Sequence, residues 1–278
     1  VRIRRISRVL RGWREATGLK SGEIAKKAGW SSAKQSRLET AGQPITPADV
    51  VTLALVYGIS EDERTKMFEA TLTAQEKSWW EEVAKGALVD DVLDYVELES
   101  EAHELKTFRI DLVHGLFQTE DYTAAVLGAD VPTPGEDIVR ERVQARVARQ
   151  SRLVGDDPIQ VDAVIAEGAL RMVVGGPAVM RAQLNHLLEL GALPHIQLRV
   201  LPAKAGAHCA LGTGFSLLSF EGENSDVGYI EVLTKGVYLE EPAELEPYRL
   251  AFATLWDNAL AEDESAAMIS SIARGMKH

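Results

Sequence analysis

Ser21-Gly-Glu-Ile-Ala-Lys-Lys-Ala-Gly-Trp-Ser-Ser-Ala-Lys-Gln-Ser-Arg-Leu-Glu-Thr40 is the stretch that decides how the first part of the chain folds. Ile24, Ala25 and Ala28 recur at helical spacing, and Gly29 stands where a helix commonly stops, which predicts a helix from Ser21 to Ala28. Ser31 or Ser32 can cap the free amides of a following helix that runs to about Thr40. Ala25 and Gly29 are both small and four apart, so the two helices can cross steeply over a short turn. Leu38, nine residues after Gly29, anchors the later helix against the earlier one, with Ile24 and Trp30 completing the cluster. This is the packing skeleton of a helix-turn-helix, whose outer helix is held ready for a major groove. On that helix Ser32, Ala33, Lys34 and Arg37 lie away from Leu38 and toward solvent, where DNA would be met.

Working outward, Ile3, Ile6, Val9, Leu10 and Trp13 form a helical pattern that stops at Gly18. Pro44 and Pro47 bound a loop, and Pro47 suits the first turn of a helix ending near Tyr57, before Gly58. Met67, Phe68, Leu72, Trp79, Trp80 and Val83 extend a helical pattern from Glu61 to about Lys85. The expectation is an all-α helix-turn-helix domain of about five helices over 1–75 and a linker helix over 76–88.

Charge divides the chain at nearly the same place. The 278 residues carry 30 Lys+Arg against 42 Asp+Glu, a net −12 that by itself argues against nucleic acid. Residues 1–46 hold eleven basic and three acidic side chains, a surplus of +8, whereas 47–278 hold 19 basic and 39 acidic, a deficit of −20. A basic head on an acidic body is the footprint of a nucleic-acid reader joined to something else; the competing reading is a solvated basic helix face. An apolar fraction of 46% provides for a sizeable core, and no run approaches the roughly 18 apolar residues of a membrane span. Cys209 alone permits no intrachain disulfide and no Cys-based zinc cluster, which suits a reducing compartment, and the N-terminus lacks a secretory apolar core. A cytoplasmic, nucleoid-associated protein without membrane contact is expected. Val1 in place of Met implies an altered or processed start, or missing upstream residues.

Beyond Gly86 the pattern turns mixed. Val92–His103, Thr119–Leu127, Glu136–Leu153, Pro177–Leu190, Pro242–Leu260 and Ser265–Gly275 read as helices, and Thr107–Val113 as a strand. Apolar and polar residues alternate over Ile159–Ala166, Ile196–Leu201, Phe215–Phe220 and Val227–Leu233. The expected second domain, 89–278, is α+β with a mainly antiparallel sheet.

The run Gly-Trp-Ser-Ser-Ala-Lys-Gln-Ser-Arg-Leu-Glu-Thr (29–40) resembles the Cro and λ-repressor type helix-turn-helix of the xenobiotic-response-element family, in its actinobacterial, antitoxin-like branch. Leu-Glu-Ser-Glu-Ala (98–102), Val-His-Gly-Leu-Phe-Gln-Thr-Glu-Asp-Tyr (113–122) and Glu-Gly-Ala-Leu-Arg (167–171) look like motifs of the C-terminal domain of unknown function found in that branch. So do Gly-Gly-Pro-Ala-Val-Met-Arg-Ala-Gln-Leu (175–184) and Val-Leu-Pro (200–202). The resemblance implies a transcriptional regulator with a small protein partner encoded nearby. It also marks departures. A branched apolar residue is usual where Gln35 stands, a Ser or Thr cap where Lys20 stands, a DNA-contacting Gln where Ser21 stands, and Pro where His114 stands. Gln35 either buries its amide, which needs hydrogen bonds, or reaches an adenine edge.

The candidate DNA-binding residues are therefore Lys20, Ser21, Ser31, Ser32, Lys34, Gln35 and Arg37, and Arg37 either reads a base or orients through phosphate or the neighbourhood of Glu39. Because one such motif reads only a few base pairs, a homodimer on a palindromic stretch of double-stranded DNA is expected. No catalytic motif stands out, so no enzyme, cofactor or metal is expected. Gly212-Thr213-Gly214 reads as a turn, Glu99 with His103 and His186 with Glu189 as surface pairs, and His208-Cys209 as ordinary packing. Trp79, Trp80, Tyr95, Phe108, Phe117 and Tyr122 either line an effector pocket between the domains or fix the linker helix to the sheet. The competing function is an enzyme or small-molecule binder for which a degenerate helix-turn-helix serves as tether.

Overall fold

The fold is taken from a computed structural model, which describes residues 2–73, 90–130, 135–155, 157–221, 226–233 and 235–276. The chain divides into two units, Val1–Ser78 and Trp79–His278. The expected linker helix over 76–88, with Trp79 and Trp80, lies outside the described residues.

Five helices build the described part of the first unit: α1 (Arg2–Thr17), α2 (Ser21–Ala28), α3 (Ser32–Glu39), α4 (Pro47–Tyr57) and α5 (Glu61–Thr73). Their apolar stripes meet in one core in which Leu10, Ile24, Leu38, Val50 and Leu53 are fully buried. Full burial of each such side chain contributes about 1.5–3 kcal/mol. The breaks follow local chemistry. Gly29 and Gly58 take left-handed conformations (φ 74° and 70°) that side chains resist, and each ends its helix there. Thr46 and Asp49 cap α4 reciprocally, with Pro47 at its first position.

The second unit is α+β. Its helices are α6 (Asp90–Glu101), α7 (Glu120–Leu127), α8 (Glu136–Arg149), α9 (Glu167–Arg171), α10 (Pro177–Leu190), α11 (Pro242–Asn258) and α12 (Glu262–Gly275). Its strands are β1 (Glu104–Arg109), β2 (Gln160–Ala166), β3 (Ile196–Leu201), β4 (Phe215–Ser219), β5 (Val227–Val232) and β6 (Lys235–Leu239), in the order β3-β2-β1-β4-β5-β6. β1-β2 and β2-β3 pair in parallel, each joined by a helical crossover, whereas β1-β4, β4-β5 and β5-β6 are antiparallel. The sheet is mixed and, by three pairings to two, mostly antiparallel, as the sequence led one to expect.

Strand alternation gives the sheet two unlike faces. Phe108, Val164, Leu201, Phe215 and Leu217 pack with Leu245, Phe252 and Leu255 of α11 in an apolar cluster. Opposite, Thr107, Ser216 and Tyr229 stand in one cross-strand row. The Thr107 and Ser216 hydroxyls are 3.1 Å apart, and the Tyr229 ring packs at a tilt against Tyr95 of α6 with ring centroids 4.3 Å apart. A buried sheet face with a polar row is a place to look for chemistry.

Boundaries differ from expectation where local pattern and pairing compete. The strand placed at 107–113 runs instead over Glu104–Arg109, because its edges are fixed by partners on both sides; Asp111 then turns the chain, accepting from the Leu112 N–H at 2.9 Å. The helix expected to reach His103 stops at Glu101, and the His103 N–H joins the sheet by donating to the Ser219 carbonyl. β6 and α9 were not expected; β6 is short and half-buried without clean alternation, and α9 has only five residues.

Candidate nucleic-acid interface

The turn that presents α3 depends on Gly29 for its positive φ rather than for close packing: a Cβ built there meets nothing within 4 Å. The small residue at the crossing is Ala25, which is buried. Leu38 is fully buried and its carbonyl accepts from the Ser7 hydroxyl of α1 at 2.5 Å, so the inner side of α3 is fixed by packing and by a hydrogen bond. Gly22 brings the first turn of α2 beside that of α3, a Cβ built there lying 3.7 Å from Ser32 Oγ. The two helix starts form one surface that also carries Lys20 and Ser21.

Ser31 is the N-cap of α3; its hydroxyl accepts from the Lys34 N–H at 3.2 Å and so has a structural duty, although the residue is exposed. Lys20 stands at the N-cap of α2 with no side-chain acceptor, and only the returning half of a capping box forms, Glu23 accepting from the Lys20 N–H at 2.9 Å. Ser32, Ala33, Ser36 and Arg37 are exposed. Arg37 donates from Nε to Gln43 Oε1 at 2.9 Å, and Glu39 is taken by Arg14 instead, with both carboxylate oxygens 2.9 Å from Arg14 Nε. Ser36, four residues after Ser32 on the same outward stripe, was not singled out; the i, i+4 spacing was the signal.

Gln35 corrects the expectation that it reaches DNA. It is fully buried, its oxygen accepting from Trp30 Nε1 at 3.1 Å and its amide nitrogen donating to Glu39 Oε1 at 2.6 Å and to the Tyr57 hydroxyl at 3.1 Å. The polar residue in an apolar place has recruited partners for its whole amide, which removes the desolvation penalty and points it inward. Burial, and after it Glu39, pushes Tyr57 up to about 12, so its hydroxyl remains protonated and neutral through the ordinary pH range.

Lys34 is only half outward. Its Nζ lies 2.6 Å from Asp49 Oδ1 and 4.3 Å from the centroid of the Trp30 ring. Burial raises Asp49, but hydrogen bonds from Lys34 and Thr46 outweigh it and hold the carboxyl below its ordinary range. The Lys34 ammonium therefore ties α3 to α4, and Arg37 is the cation that α3 presents most openly.

In the second unit, Glu99 is not half of a surface pair. It is buried, and Arg149 of α8 grips it with Nε–Oε1 at 2.8 Å and Nη2–Oε2 at 2.9 Å. Tyr95, one turn earlier, has its hydroxyl 2.9 Å from His114 Nε2. Burial first, then Arg109, Arg149 and Arg146, hold His114 well below its usual range, so its ring is neutral. An acidic residue on the inward stripe of Tyr95, Val96 and Leu98 was the legible sign of this cluster. Phe108 lies on the opposite, apolar face of the sheet from Tyr95, so these two aromatics do not line one pocket. His186 and Glu189 do form an exposed-side pair at 3.6 Å. Gly212 turns at φ 85°, and Gly214 leads into β4 so close to β1 that a Cβ would lie 3.0 Å from the Phe108 carbonyl. Cys209 is exposed, its thiol 3.7 Å from the Ala251 carbonyl. No group of three potential metal ligands occurs among the described residues, and none of their helices is long and apolar enough to cross a membrane.

Residues 5–67 match a family described as a helix-turn-helix domain, and residues 92–271, more than half of the chain, match one described as a domain of unknown function, DUF5753. No curated protein and no solved structure matches the chain.

Proposed function

The chain belongs to the DUF5753 family and carries a helix-turn-helix domain ahead of it, and on that premise we propose that it is a sequence-specific transcriptional regulator of the xenobiotic-response-element type, antitoxin-like in its organisation. The observation that supports this best is the division of labour on α3: Gln35 and Leu38 are held inward while Ser32, Ala33, Ser36 and Arg37 face out. α3 enters the major groove, with Arg37 and the serine hydroxyls against base edges. Lys20 and Ser21 at the start of α2, with the exposed Lys26 and Lys27, meet phosphates. The protein acts as a homodimer in the cytoplasm, in contact with the nucleoid. The second unit responds to a small ligand or to a small protein partner and performs no catalysis.

The test is a footprint of the full chain on the DNA upstream of its own coding sequence over a range of salt. The expected pattern is two protected half-sites with centres about one helical turn, or a multiple of it, apart. Affinity should fall steeply with salt as phosphate contacts release counterions. Uniform protection with no sequence preference would overturn the reading.

A further inference from the structure

Two guanidinium groups, those of Arg146 and Arg149, meet beside His114, and a third, that of Arg109, lies on the same polar face of the sheet as Thr107. Arg146 and Arg149 of α8 meet at Gly115, next to His114, where a built Cβ would lie 3.3 Å from Arg149 Nη2 and 3.7 Å from Arg146 Cδ. Arg109, at the end of β1, crosses Gly214, whose built Cβ would lie 3.8 Å from Arg109 Cδ. Their charges are poorly matched. The buried carboxylate of Glu99 has both oxygens taken by Arg149. Arg146 donates to a neutral amide oxygen, Gln118 Oε1, at 2.8 Å. The Arg109 side chain makes no hydrogen bond among the described residues: its Nε is buried and unpartnered, and the carboxylate it pairs with, Glu231, is 4.0 Å away and largely in solvent. Burial and the neighbouring Arg149 charge depress Arg146 to about 10, so a further cation here is resisted and an anion favoured.

Two other arginines with an unpartnered Nε differ in kind. Arg152 donates through Nη1 and Nη2 to the Asp157 and Ala102 carbonyls, and Arg199 lies flat on Trp256, 4.1 Å from the ring centroid.

We propose that Arg109 and Arg146 form the floor of an oxyanion site in the DUF5753 unit, taking the carboxylate or phosphate group of a small molecule between them, with Arg149 held in place by Glu99. A planar guanidinium with unused N–H groups matches either oxyanion bidentately, and Glu231 at the rim excludes ligands of excess negative charge. The site names a ligand class for the sensing arm of the regulator reading and rests on that reading only for its regulatory meaning.

The experiment titrates inorganic phosphate, and separately acetate, into the full chain at constant ionic strength, with sodium chloride as the balance, by calorimetry and by thermal melting. Saturable binding at one site per chain is expected. Arg109→Gln and Arg146→Gln should each weaken it at least about tenfold, because each removes a charge-assisted hydrogen bond to the anion, while Arg199→Gln leaves it unchanged. Tighter binding of phosphate assigns a phosphorylated ligand, and tighter binding of acetate a carboxylic acid. Since Arg109 has only the long, solvent-exposed pair with Glu231 to lose, its variant should melt close to the parent when no anion is added, which keeps the test sound even if Arg146→Gln unfolds. Absence of saturable binding in both arms, or binding that Arg109→Gln leaves intact, would overturn the site. Because no DNA is present, neither result depends on the footprint, and a failed footprint would leave the site standing.

Discussion

Gln35 shows how one residue can read two ways until its neighbours are known. The chain places an amide where an apolar residue would serve, and the amide is satisfied by Trp30, Glu39 and Tyr57 rather than by DNA. Gln35→Ala should therefore cost about 1–3 kcal/mol in denaturant unfolding, from the unpaired partners it leaves behind, yet leave base preference unaltered. Lys34 and Asp49 form a second exchange between stability and binding. Asp49→Asn breaks the 2.6 Å contact and releases a cation toward the phosphates. Nonspecific DNA affinity should rise and the salt slope steepen by about one ion, while the first unit loses stability, all readable in a salt titration and a melt. The pH sign follows from the lowered carboxyl: its contribution is present above the unfolded value near about 4 and is lost as pH falls through the lower folded value, a decline that the Asn variant should lack. Neither partnership was legible in sequence, since Tyr57 and Asp49 come from another helix.

At the scale of elements, glycines mark two different necessities. Gly29→Ala meets no atom and should cost about 1 kcal/mol through its φ of 74° alone, whereas Gly214→Ala drives a Cβ to 3.0 Å from a β1 carbonyl and should cost more. Comparing the two in urea melts separates turn conformation from strand contact. α1 to α4 were legible because amphipathic period, caps and stop glycines agree with one another, which is what makes a local pattern decisive. β6 escaped because a half-buried edge strand lacks clean alternation, and the end of β1 was misplaced because partners, not propensity, define a strand's limits. The parallel pairing of β1, β2 and β3 depends on crossovers that no short stretch of sequence displays.

Over the whole molecule, the charge division at residue 46 carries the functional argument further than the net −12 does. The +8 surplus falls on the helices of the first unit, where Ser32 and Arg37 of α3 are exposed as the helical spacing implies, and where Gln35, for which the sequence leaves two readings open, takes the buried one. Most of the acidic surplus falls on a unit whose sheet hides a basic cluster, which composition conceals because an average cannot report burial. The central claim is that the exposed stripe of α3 reads bases. Its most direct measurement is the ratio of dissociation constants for nonspecific and specific DNA, at fixed salt, for the parent chain and for Arg37→Ala. The prediction is a fall in that ratio equivalent to about 1–3 kcal/mol, with preference relaxed at the base pair Arg37 meets. A ratio unchanged in Arg37→Ala, and still unchanged when Ser32→Ala and Ser36→Ala are added, would contradict it.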